Sequence, residues 1–203
     1  MIDHIEPEQA GDPLADDRIQ FYLRHRAAIR EWAAIERDLF EATHRIMVGL
    51  IPEIEAAVRD RDDSVIVGGV ALDGSWPRIV ARRATWPVSP SGDPIVGVTL
   101  EWTPKVDPSG GALPYIGVRV EADHPAGKAL AETLRPMVAG SDAAAAGFKA
   151  SNYVWWPVQQ RVHASPDWWQ AVDGYRTACI DRFGTAWSVL SPLVDQSLDS
   201  AGE

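Results

Sequence analysis

The stretch that most constrains this chain runs from Asp16 to Val48, which contains neither glycine nor proline. On a wheel of about 100° per residue, Phe21, Ile29, Trp32, Ile35, Leu39, Phe40, Ile46 and Met47 fall on one broad face. Arg26, Arg30 and Arg37 line up along its flank. The spacing predicts one amphipathic helix, opened by Asp16 or Asp17, whose carboxylates cap the first amides and complement the helix dipole. Gly49 and Pro52 interrupt it, because proline removes a hydrogen bond and clashes one turn back. The pattern resumes with Ile54 and Val58 and ends near Arg61, so a kink or two consecutive helices are expected. A helix from 16 to 48 is about 50 Å long. A body built from 203 residues is only about 40–45 Å across. Part of the apolar stripe then lacks intrachain surface to cover. Phe21, His25, Ile29 and Trp32, at the end expected to overhang, are the candidate interface. An antiparallel two-fold pairing of copies would bury it.

The pattern then changes from a helical period to alternation. Ser64–Leu72 is apolar and β-branched, Asp73-Gly74 signals a type I′ hairpin, and Arg78–Trp86 reads as the returning strand. In Ile95–Trp102, Val96, Val98, Leu100 and Trp102 share one face, with Gly97, Thr99 and Glu101 on the other. In Tyr115–Glu121, Ile116, Val118 and Val120 oppose Tyr115, Arg119 and Glu121. Pro125–Met137 is helical, with Asp123 or His124 at its entry, and the Ala-rich Ser141–Phe148 allows one or two turns. Asn152–Val162 reads as a fifth strand, with Val154, Trp156, Val158 and Val162 inward and Tyr153, Trp155, Gln159 and Arg161 outward. Pro157 suggests that this strand lies at an edge or carries a bulge. Ser165-Pro166-Asp167 opens a last helix, which Pro192 is expected to close near 190.

The predicted fold is therefore α+β: a long N-terminal helix, an antiparallel meander of about four strands, a helix, a fifth strand and a long C-terminal helix. Val96, Val98, Leu100, Ile116, Val118, Val120, Val154 and Trp156 are its expected core, and Trp32, Trp102, Trp156 and Trp187 fall on faces assigned inward. Residues 1–15 are read as a flexible acidic leader and 16–199 as a single domain. Residues 1–17 carry six acids and no Lys or Arg, so they supply −6 of the net charge of −10. The rest is nearly balanced, which argues against a DNA mimic and against a basic footprint for duplex nucleic acid.

The C-terminal half has a further likeness. The segments PYIGVRVEA, HPAGKALAETLRPM and NYVWWPVQQRVHA, then Ser-Pro-Asp-Trp-Trp and a closing helix with Trp187 and Pro192, follow one another in order. From about Pro114 to Val194 this order resembles a bacterial domain of unknown function found C-terminal to nuclease-like domains of the PD-(D/E)XK type. The nuclease chemistry of such proteins lies in the other domain. Its strand motif of Glu-x-Lys is missing here, since Glu101-Trp102-Thr103 and Glu121-Ala122-Asp123 both lack the lysine.

No motif in the chain names a reaction. The histidines make no HExxH and no Cys/His cluster, and Gly68-Gly69 and Gly110-Gly111 lack the Gly-Lys-Ser/Thr of a phosphate loop. Glu121, Asp123 and His124 form a conceivable metal group, but helix capping by His124 is the simpler reading. No catalytic residue, metal or cofactor is expected. The single cysteine, Cys179, sits in an apolar helical pattern. Without a signal peptide or an apolar run long enough for a membrane, it points to a reducing cytoplasm. Arg outnumbers Lys by 16 to 3 beside Ala-rich runs, which suggests a GC-rich bacterial or phage genome.

Nine tryptophans remain to be placed. Alternation sets Trp155 on the outward sheet face with Glu101, Tyr115, Arg119, Glu121, Tyr153, Gln159 and Arg161. Aromatic rings beside Arg and Glu suit a binding face, by stacking and charge. A solvated face with ordinary cross-strand pairs is the alternative. Two functions follow. One is a non-enzymatic interaction protein, a dimer or complex subunit with no membrane and no duplex nucleic acid. The other is a binder of an anionic ligand, a nucleotide or a single-stranded nucleic acid through the aromatic and arginine face.

Overall fold

The structure is a computed structural model that describes residues 16–102, 114–162 and 171–201. The expected leader, 1–15, lies outside the described residues, as do His163, Trp168, Trp169 and the expected opening of the last helix at Ser165-Pro166-Asp167. In chain order the elements are α1 (Asp17–Gly49), α2 (Ile51–Arg59), β1 (Val65–Val70), β2 (Arg78–Arg83), β3 (Val96–Glu101) and β4 (Tyr115–Val120). Then come α3 (Pro125–Met137), α4 (Asp142–Ala145), β5 (Lys149–Ala150), β6 (Val158–Arg161) and α5 (Val172–Ala201). This is the α+β order that the periodicities predict. The chain divides into two compact units, 1–40 and 41–203.

In the first unit, the described residues form the greater part of α1. Asp16 opens the helix as expected: its carboxylate accepts from the Arg18 amide at 2.8 Å, and its carbonyl accepts from the Gln20 amide. The inward assignment of Trp32 is corrected, because Trp32 is 68% exposed. Phe21 and Ile35 of the same stripe are also exposed, while Ile29 and Leu39 are half-buried. Helical periodicity shows that a face is apolar, not that its own chain covers it.

The second unit holds the sheet. The α1–α2 junction keeps its helical backbone at Leu50, and Pro52 falls in the first turn of α2, where its missing N–H is not needed. The six strands are antiparallel throughout, in the order β1-β2-β3-β4-β6-β5. One sheet face carries Ile79, Ala81, Val96, Val98, Leu100, Ile116, Val118, Val120 and Val158, all completely buried. α5 crosses β3 and β4 on this face, with α2 and α3 packed beside it. Cys179, Phe183, Trp187, Leu190 and Val194 supply its buried stripe. At the far side, Arg83 joins Asp62 at 3.1 Å and Asp195 at 2.8 Å, and Asp195 accepts from Trp86 Nε1 at 2.7 Å. That network ties the α2–β1 turn, β2 and α5 together.

Four expectations at element ends are corrected. Asp73-Gly74 does not form a two-residue turn. The β1–β2 connection spans 71–77, and Ala71 takes the left-handed φ of 51° while its carbonyl accepts from Gly74. The fifth strand is shorter than expected: a turn at Val154–Trp155, closed by Trp156 N–H to the Tyr153 carbonyl at 3.1 Å, precedes it. Val154 is thereby carried out of the core and is 55% exposed. Pro157 does not mark an edge either, because it precedes β6, and β6 is flanked by β4 and the two-residue β5. Finally, α5 passes through Pro192 to Ala201. The Ser188 carbonyl loses one helical donor, but burial of Leu190 and Val194 on either side holds the helix.

Candidate functional site

The open face of the sheet is built in rungs by the strand register. Arg78, Glu101, Tyr115 and Arg161 are direct neighbours across β2, β3, β4 and β6. The next rung is Val80, Thr99, Gly117, Gln159 and Lys149, and the one after pairs Gly97 with Arg119. Long charged and aromatic side chains thus flank a floor of Gly97, Thr99 and Gly117. Gly117 is required by close approach, since a Cβ there would stand 2.1 Å from the Val158 carbonyl oxygen.

Residues 151–157 fold over one end of this floor. The Ser151 amide donates to the Pro157 carbonyl, and the Trp155 carbonyl accepts from the Val120 amide of β4 at 3.0 Å. That last bond fixes Trp155 above Arg119, whose guanidinium carbon lies 5.0 Å from the indole centroid. Arg161 stands 5.1 Å over the Tyr115 ring and donates to its hydroxyl at 2.9 Å. Tyr115 and Trp156 have ring centroids 6.0 Å apart.

The result is a hollow of about 500 Å³ walled by Trp76, Tyr115, Tyr153, Trp155 and Trp156 around Arg78, Arg119, Glu101 and Gln159. A second hollow, of about 520 Å³, adjoins it through Tyr115 and Gln159 and adds Lys149, Ser151 and Arg161. Charges in the first hollow are paired. Arg119 Nε is 3.3 Å from Glu101, and Arg119 and Arg78 both bind Glu121, the latter at 3.6 Å. Burial pushes the Glu101 carboxyl above its ordinary range, opposed by the nearby charges of Arg119 and Arg78 and a hydrogen bond with Trp156. Burial also lowers Arg78, helped by the like charge of Arg119. Among the described residues, the lining of the second hollow holds Lys149 and Arg161 and no carboxylate.

Of the residues expected on this face, Glu101, Tyr115, Arg119, Tyr153, Trp155 and Gln159 line the first hollow. Arg161 lines the second, and Glu121 lies behind Arg78 and Arg119 as their shared partner. Sequence reading missed Trp76 and Arg78, and its assignment of Trp156 to the helix-covered core is corrected: Trp156 is buried, but against Tyr115 and Glu101 in the wall of this hollow. Arg78 is found only through its register opposite Glu101. Trp76 comes from an irregular loop, which has no period to read. The other proposed group, Phe21, His25, Ile29 and Trp32, stays in the first unit, where the Phe21 and His25 rings lie 4.5 Å apart.

His124 caps α3, with Nδ1 accepting from the Ala126 amide at 3.2 Å. No group of three His, Cys, Asp or Glu side chains suited to a metal occurs among the described residues. No described helix is long and apolar enough to cross a membrane. Compared with family models, curated proteins and solved structures, the chain matches none.

Proposed function

We propose that this chain is a non-enzymatic binding protein of the cytoplasm whose open sheet face takes a planar heteroaromatic ligand bearing an anionic group, of the nucleotide class. The observation that carries this reading is the adjoining pair of hollows, one aromatic and charge-balanced, the other cationic. A base stacks among Trp155, Tyr153 and Trp76, and its polar edge meets donors on Arg78, Arg119 and Gln159 and the acceptor Glu101. The anionic group lies toward Lys149 and Arg161. Acidity of the whole chain disfavours duplex nucleic acid, but it does not weaken a short-range stacking site.

Titration with nucleoside monophosphates, followed by tryptophan fluorescence and calorimetry, tests the reading. Saturable binding that weakens when the phosphate is removed from the nucleoside supports it. No heat and no quenching with any nucleotide at about 1 mM, a weak affinity near 4 kcal/mol, overturns it. A role as a subunit of a larger assembly is favoured by a different observation, the exposed Phe21, Tyr22, Leu23, Trp32 and Ile35 of α1.

A further inference from the structure

A regular series runs along α1 through its exposed Phe21, His25, Trp32 and Ile35 and its half-buried Ala28, Leu39, Ala42 and Ile46, with the exposed Tyr22 and Leu23 beside it. Phe21, His25, Ala28, Trp32, Ile35, Leu39, Ala42 and Ile46 follow one another at alternating steps of four and three residues. This is the 3.5-residue seam of a left-handed coiled coil, narrower than the broad 3.6-residue face that a helix turns to a globular core. Phe21 is 58% exposed and Trp32 68%, although both lie on the seam. The adjacent Phe21 and His25 rings already touch along it.

We propose that residues 17–40 of α1 pair with the same segment of a second copy as an antiparallel two-stranded coiled coil. Charge selects the occupant and the direction. Residues 17–30 hold Arg18, Arg24, Arg26 and Arg30 against Asp17, a net +3, while 31–40 hold Glu31, Glu36 and Asp38 against Arg37, a net −2. A parallel pair sets like halves together, and an antiparallel pair sets each half against its opposite. Geometry then fixes the register. Phe21 packs on Leu39 of the second copy, His25 on Ile35, and Ala28 opposite Trp32, so that a methyl leaves room for an indole. Arg24 flanks Asp38 of the second copy, twice by symmetry, and Ile29 meets its own counterpart beside the axis. Glu31 also meets its own counterpart, one like pair against two opposite ones. Sliding by a heptad one way puts Arg24 against Arg45; the other way sets Arg24 against Glu31 but also Asp17 against Asp38, so the charges offset, and it loses the Phe21–Leu39 layer.

Sedimentation of the full chain at about 50 μM, well above the dissociation constant of a low-micromolar dimer, gives a dimer that dissociates on dilution. Trp32→Glu, at an exposed position, gives a monomer whose melting curve matches that of the wild type diluted until it is monomeric. Arg24→Asp weakens the dimer about tenfold or more, since two attractive pairs become repulsive. Arg24→Asp combined with Asp38→Arg restores it. A monomeric wild type, or a Trp32→Glu variant that stays dimeric, overturns the interface. A double charge swap that fails to recover what Arg24→Asp lost overturns the antiparallel register.

Discussion

Arg119 lies between Trp155 and Glu101: its guanidinium carbon is 5.0 Å from the indole centroid, and its Nε is 3.3 Å from the carboxylate. A guanidinium can hold both at once because its flat face stacks while its edge donates. The two contacts join the turn at 154–155 to the middle of the sheet. They also leave the outer face of Trp155 as a half-buried platform over the hollow.

Trp155→Ala is therefore expected to remove a stacking partner without unfolding the protein. Loss of one base–aromatic stack costs about 1–3 kcal/mol of binding, seen as a right-shifted nucleotide titration. The melting temperature should fall little, because the side chain is half-exposed. A large fall in melting temperature with unchanged affinity would assign Trp155 to the fold instead.

Gly117 and Val118 are neighbours on opposite faces of β4, and they should fail for opposite reasons. Val118 is completely buried in the helix-covered face. Val118→Ala removes methyl groups there and costs roughly 1–3 kcal/mol through lost burial and the space left behind. Gly117→Ala adds a methyl aimed at the Val158 carbonyl and at Gln159 Cα, 2.7 Å away. Backbone cannot yield as a flexible side chain can, so about 3 kcal/mol or more is expected. Urea unfolding of both variants measures this. A neutral Gly117→Ala would show that β4 and β6 pair less closely than described.

The strands and helices were legible because burial imposes a period, and a period can be read from one chain. Val98, Leu100, Ile116 and Val118 show it, and all are buried. Val154 belonged to the same alternation but is exposed, because the turn around it is closed by a hydrogen bond rather than by apolar contact. Trp155 could be assigned to the outward face by alternation. Its place over Arg119 depends on a bond to Val120, 35 positions away, which no local pattern contains. Arg78 and Trp76 were invisible for the same reason: cross-strand register and loop shape, not composition, bring them to Glu101 and Tyr115. For Trp32 the apolar stripe suited both an inward face and an overhanging end, and only its exposure in the folded chain decides between them.

Asp62 should govern part of the acid limb of stability. The Ser64 hydroxyl, donating at 2.6 Å, holds its carboxyl below the usual value against the opposing effect of burial, with further help from the Ser64 amide and Arg83. A depressed pKa in the folded state means stability that is present above the ordinary carboxylate range and lost as pH falls through the folded value. Asp62→Asn should therefore lower stability at pH 7 and flatten its decline on acidification. Chemical denaturation across about pH 3–7, the span over which a carboxylate titrates, measures both. Parallel wild-type and variant curves would remove Asp62 from the acid response.

Cys179 gives the sharpest check on the packing of α5. Its side chain is completely buried, and burial pushes the thiol up to about 11, against a hydrogen bond with Tyr175 that lowers it. From an ordinary value of 9.0, that makes the reactive thiolate about a hundredfold scarcer at pH 8, before access is considered. The folded state holds this proton more tightly than the unfolded chain does. The associated stability is thus complete below the ordinary thiol value and is lost as pH rises toward the folded one. Native protein mixed with an aromatic disulfide reagent at pH 8 should release almost no thiolate over minutes, and the same sample in denaturant should release one equivalent at once. The native rate should also fall when the fold is stabilised, because the reagent reaches Cys179 only through opening of α5. Stoichiometric labelling of the native chain within seconds would mean that α5 does not pack on the sheet in solution as described.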